Sequence, residues 1–131
     1  MYQLDEKIVV WIFCLVSYYD QFCLQDRPAT DCFNLAIKEY FHGRNKSEIT
    51  IKSCFQWTLT SEAPFSGMAM LVVDIPSGYV IEQPTADKIV RSGQVPEMRD
   101  SDVLSPGKTI WYFDYIPNVT RCFEHTVCFS Y

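Results

Sequence analysis

Positive charge is what this chain has least of. Its 11 Lys and Arg residues are outnumbered by 16 Asp and Glu, giving a net charge of −5, and nowhere do the basic residues form a block. Phosphate backbones and anionic lipid surfaces select for clustered cations, so nucleic acid and membrane-surface partners are set aside. The apolar runs are also short. The longest, Ile8 to Val16, is far below the roughly 20 residues of a membrane-spanning helix. Histidine is scarce, with only His42 and His125 to act as a base near neutral pH. There is no Gly-rich phosphate loop and no G-x-S-x-G nucleophile elbow. Glu82, Asp87, Glu97, Asp100 and Asp102 fall in turn or helix-edge contexts, where a solvated surface is their expected role. No nucleophile is paired with an oriented base. The reading is a non-enzyme with no catalytic residues and no cofactor.

What is present points to strands. The 131 residues suffice for one domain around one core. Nine Phe, eight Tyr and three Trp, together with many β-branched residues, favour an all-β fold. Six cysteines are many for a reducing cytosol and indicate a secreted, extracellular protein. Two glycan acceptors agree: Asn45-Lys46-Ser47 and Asn118-Val119-Thr120 both lie in turn-like surroundings. The run after Met1 is expected to be a buried strand over Ile8 to Tyr19. A weak signal sequence is the alternative for residues 1–16, because the preceding segment contains acids and only Ser17 is suitably small.

Period-2 alternation recurs between turn signals. Phe33, Leu35, Ile37 and Phe41 share one parity, His42-Gly43-Arg44-Asn45 turns the chain, and Ile49, Ile51, Phe55 and Trp57 alternate with polar residues, which predicts a hairpin. Met68 to Ile75 is apolar on both faces until Asp74, as a central strand should be. Ile110 to Ile116 and Phe123 to Phe129 are two further strands, joined across Pro117-Asn118. One helix is predicted near residues 84–92: Pro84 suits the first turn, Ala86, Ile89 and Val90 are spaced i, i+3, i+4, and Gly93 stops it. The fold class is therefore an antiparallel two-sheet β-sandwich with one short surface helix.

Cys122, His125 and Cys128 have the spacing of a metal motif only on a helix. On a strand Cys122 and Cys128 point to one face and His125 to the other, so the three cannot share one zinc ion and no metal site is expected. The same parity puts Cys54 on the polar face of its strand, from which it can meet Cys122 or Cys128 on a neighbour.

Four stretches together resemble a known family: "SGMAMLVVDIPSGYVIEQPTADKIV" at Ser66 to Val90, "EITIKSCFQWTL" at Glu48 to Leu59, "KTIWYFDYIPN" at Lys108 to Asn118, and "RCF" at Arg121 to Phe123. They are similar to the C-terminal receptor-binding domain of the alpha-macroglobulin and complement thioester proteins, a β-sandwich in which a short helix follows a strand and a Ser-Gly or Thr-Gly turn. The similarity runs from about Ser17 to Tyr131. The resemblance implies a secreted module read by a receptor, in proteins that trap proteases or tag foreign surfaces, and a disulfide between Cys54 and Cys122. Cys32 stands where such proteins carry a cysteine bonded beyond the position of Tyr131, so here Cys14, Cys23 or nothing would have to meet it.

Receptor recognition in the family uses basic residues on the helix, a Lys ammonium entering an acidic, calcium-bearing pocket of a low-density-lipoprotein-type receptor. Asp87 stands at the first such position, with Lys88 one residue along and Arg91 near the second, so Lys88 and Arg91 are the receptor-contact candidates. The family's thioester motif is absent, which excludes covalent attachment to a target. Its Tyr-rich closing strand is also missing, so residues 17–131 are expected to form a sandwich with an open edge able to pair with itself. Two alternatives remain at this stage. One is a truncated structural remnant without a receptor; the other is an unrelated secreted sandwich using Cys122, His125 and Cys128 as a metal site.

Overall fold

Alternating burial is what turns these segments into strands of a two-layer domain. In the strand Phe33–His42 the odd positions Phe33 and Ile37 are buried while Asn34, Ala36, Lys38 and Tyr40 are exposed. In Glu48–Trp57 every odd residue from Ile49 to Trp57 is buried. A computed structural model describes residues 2–4, 8–14, 32–104 and 107–129, with the backbone alone at 2–4, 9, 13 and 14. Its strands are β1 (Tyr2–Leu4), β2 (Ile8–Cys14), β3 (Phe33–His42), β4 (Glu48–Trp57), β5 (Ala69–Asp74), β6 (Tyr79–Val80), β7 (Met98–Leu104), β8 (Lys108–Phe113) and β9 (Arg121–Phe129), and helix α1 spans Gln83–Ser92.

Every strand pairing is antiparallel. The five-stranded sheet runs β1-β2-β5-β8-β7 and the four-stranded sheet β3-β4-β9-β6. The expected strand at Ile8 is β2, paired to β5 from Val9↔Asp74 to Cys14↔Ala69; positions 15–19 of that expectation lie outside the described residues. The apolar run is the middle strand β5, with Ala69, Leu71 and Val73 fully buried and Val72 only 8% exposed on the opposite face.

Aromatic side chains from both sheets meet in the core, where each buries a large apolar area and gains from edge-to-face geometry. Phe55 packs on Phe113 with ring centroids 5.0 Å apart, and Trp111 packs on Phe123 at 5.0 Å. Phe33 and Trp57 close one end at 5.4 Å. The crossover from β8 to β9 is pinned by Ser66, whose hydroxyl accepts the Ile116 N–H at 2.7 Å while its own N–H donates to the Ile116 carbonyl at 3.0 Å.

Pro76-Ser77-Gly78 is a tight turn, closed by the Tyr79 N–H to the Pro76 carbonyl at 3.2 Å. Gly78 has φ 94°, and a Cβ there would lie 2.8 Å from the Phe129 ring. Only glycine meets both conditions without strain.

Two expectations change. Asp100 and Asp102 are not in a turn but on β7, which the sequence pattern does not reveal. Glu97, expected to be solvated, is 6% exposed and receives two hydrogen bonds from Arg121, at 2.8 and 3.0 Å. A buried carboxylate persists only with such a partner.

Cys54 and Cys122 lie directly opposite in the β4–β9 register and are disulfide-bonded, with Cα atoms 4.1 Å apart. The bond spans 68 residues of sequence, a loop whose cross-linking stabilises by about 4 kcal/mol in the chain-entropy model. Cys54→Ser is expected to lower the urea midpoint strongly, while Cys128→Ser, at an exposed thiol, leaves it nearly unchanged. Equal midpoints for the two variants would contradict this assignment.

Candidate functional site

Helix α1 forms where the sequence places its signals. Pro84 occupies the first turn, Gly93 ends it in the left-handed region at φ 77°, and Arg91 sits in the last turn, where a cation complements the helix dipole. A helix of 10 residues is marginal alone. Its stability comes from the strand it lies on.

That strand is β7, one of the two outer strands of the five-stranded sheet. Ala86 is buried and Ile89 and Val90 half-buried, so the apolar stripe faces the sheet as the spacing predicts. The contact also has a polar part. The Gln83 amide donates to the Ser101 carbonyl at 3.2 Å and accepts the Val103 N–H at 2.8 Å, pairing with β7 as a neighbouring strand's backbone would. Asp87 Oδ1 accepts from Gln83 Nε2 at 2.8 Å and from the Ser101 hydroxyl at 3.0 Å. Together they cover part of an edge that would otherwise invite another strand. Nothing in the sequence marks Gln83 or Ser101 for this, because their pairing depends on β7.

Asp87 therefore points inward as an anchor, which changes the meaning of its position. Lys88 and Arg91 are both exposed. Three residues apart on a helix, they are neighbours on one face, and no ion pair to either is present among the described residues. The remaining acid near the helix start, Glu82, is exposed at the N-cap. The outward face thus carries two cations on a helix fixed from beneath.

Residues 64–129 match the family model for the A-macroglobulin receptor binding domain. The match covers just over half of the 131 residues. This chain belongs to that family. Among curated proteins, none is similar enough to count as a match. The alpha-macroglobulin receptor-binding fold, an interaction module, is the setting in which the other predicted residues are placed.

Asn45 and Asn118 are both exposed, Asn45 at φ 57° in the 3-10 turn Arg44–Lys46 and Asn118 with its carbonyl accepting from Gln56 Nε2 at 2.8 Å. They lie at opposite ends of the four-stranded sheet. Cys122, His125 and Cys128 do not converge: Cys122 is bound to Cys54, His125 is buried in the inner face, and Cys128 is exposed on the outer face. The alternative of an unrelated metal-binding sandwich falls on both counts, the family match and the ligand geometry. Partial desolvation and the nearby Glu48 carboxylate push the Cys128 thiol up, so it stays protonated near neutral pH and is a poor nucleophile. Cys32 is buried; the Cys14 and Cys23 side chains lie outside the described residues.

Gln83→Ala removes an acceptor and donors from a partly buried contact and is expected to destabilise by about 1–2 kcal/mol. Its specific signature is faster hydrogen exchange at the Val103 amide. If Val103 exchanges at the wild-type rate in that variant, α1 is not held in the manner described.

Proposed function

We propose that the domain is a non-enzymatic, extracellular recognition module of an alpha-macroglobulin or complement-like protein, and that a receptor reads it through Lys88 and Arg91. The observation carrying this reading is the fixed helix with two adjacent exposed cations, in a member of a receptor-binding family. The partner of matching chemistry is a cysteine-rich receptor repeat of the low-density-lipoprotein receptor type, whose calcium-bound carboxylates form an acidic pocket for an ammonium or guanidinium group. The Asp87 carboxylate is turned away from this face, towards Gln83 and Ser101. Secretion and glycans at Asn45 and Asn118 belong to the same reading, as does a parent protein acting in protease inhibition or innate immunity.

A second contact in this reading is self-association. Strand β6 pairs only with Phe129 and Cys128, so from Arg121 to Val127 the outer edge of β9 has no strand against it among the described residues. An edge of that length is a template for another strand, and light scattering is expected to show mass rising with concentration. A constant monomer mass would remove self-association from the proposal.

The receptor reading is tested by immobilising calcium-loaded receptor repeats and measuring binding of the folded domain. Lys88→Ala and Arg91→Ala are each expected to weaken binding about tenfold, about 1.4 kcal/mol, with circular dichroism unchanged, and chelating calcium should abolish it. Wild-type affinity in both variants, or no calcium-dependent binding by the wild type, would favour a structural remnant without a receptor.

A further inference from the structure

His125 is a titratable side chain in a place where charge has no support. It lies on the inner face of β9 at 2% exposure, stacked on Phe123 with ring centroids 5.8 Å apart and packed against Trp111 of the opposite sheet at 5.3 Å. Neither ring nitrogen has a hydrogen-bond partner among the described residues, and the same holds for the buried polar atoms Ser53 Oγ, Thr109 Oγ1 and Trp111 Nε1. Two hydroxyls and an indole cannot neutralise an imidazolium.

The buried groups around it come from four strands. From β4 come Ile49, Ile51 and Ser53; from β9, Phe123 and Val127; from β8, Thr109, Trp111 and Phe113; from β5, Leu71 and Val73. None is ionisable. On β7 the buried residues are Met98 and Ser101, while Arg99 and Asp100 are exposed and Asp102 is half-buried. The charged residue on the inner face of β3 is half-buried Glu39, one of whose carboxylate oxygens is buried; it shares a row with His125 but stands two strands away, Ile51 lying between them in the register, and it accepts no hydrogen bond from the ring. Glu97 is committed to Arg121.

We propose that His125 is an acid-sensitive element of the inter-sheet seam: its ring can take a proton only once the contact between β9 and β8 has opened, so mildly acidic surroundings make the whole domain less stable. Desolvation is the force: an imidazolium buried without a partner loses its hydration and gains nothing in return. It holds the ring's pKa down from 6.5 to about 4, whereas the unfolded chain protonates near the ordinary value. The unfolded state therefore binds more protons between those limits. Stability is full above about pH 6.5 and falls as the pH drops towards 4. The effect reaches the helix directly, since β8 is the strand that β7 pairs with and β7 carries α1. None of this depends on the receptor reading.

The window from pH 7 to 5 isolates His125 from Glu97. The Glu97 carboxyl, hydrogen-bonded to Arg121, is held below its ordinary 4.5 and contributes stability that is lost only at lower pH. Urea denaturation of the disulfide-intact protein at pH 7 and pH 5 is expected to show the folding equilibrium falling about 20-fold for wild type. His125→Phe and His125→Leu, which cannot take up the proton, should lose far less. Equal losses in wild type and either folded variant would overturn the proposal. If both variants fail to fold, nuclear magnetic resonance of the wild-type ring decides: no protonation of native His125 above pH 5 supports it, and titration near 6.5 overturns it.

Discussion

The domain depends on one seam of aromatic contacts between its sheets. Phe113 and Trp111 project from β8 onto Phe55 of β4 and Phe123 of β9, and these side chains are all essentially removed from water. Sheet-on-sheet packing needs side chains long enough to interdigitate across about 10 Å, and rings satisfy that with few rotatable bonds to immobilise. The rest follows from this seam. It fixes which face of β4 and β9 is inward, and therefore that Cys54 and Cys122 face outward together, in register, where a disulfide can form without displacing core volume.

Strands with one buried face were legible in the sequence because burial imposes a period of two on the residues themselves. β3 and β4 show it directly, and β5 announced its central place by being apolar on both faces. β7 was not legible. Its residues, Met98-Arg-Asp-Ser-Asp-Val-Leu104, alternate poorly because the strand is an outer one with a register irregularity between Met98 and Asp100. Part of its outward edge is satisfied by a helix side chain. Without β7 the roles of Glu97 and Asp87 have no signature in the sequence, and both read there as surface acids. Tyr79–Val80 is too short for any periodicity to register.

The candidate site shows a similar division. Exposure of Lys88 and Arg91 could be inferred from the helical stripe opposite Ala86, Ile89 and Val90. The orientation of Asp87 could not, because it is set by Ser101, 14 residues further along the chain, through a strand that local pattern does not define. The spacing of Pro84, Ala86, Ile89, Val90 and Gly93 located the helix, and the structure shows the Asp87 carboxylate turned to Gln83 and Ser101 rather than set between the exposed cations.

His125 and Glu97 are buried ionisable groups of the described core that are resolved in opposite ways. Glu97 stays charged because Arg121 reaches it with two hydrogen bonds, and the pair ties the segment before β7 to the start of β9, joining the sheets at their polar margin. His125 stays neutral because nothing charged reaches it, and it sits in the apolar centre of the same interface. Lowering the pH therefore acts on the two at different points: first on the ring, then on the carboxylate. A seam made only of Phe and Trp would have no such dependence. Replacing one ring in that seam with an imidazole keeps the shape that packing requires and adds a proton-binding site that only the unfolded chain can fill at mild acidity.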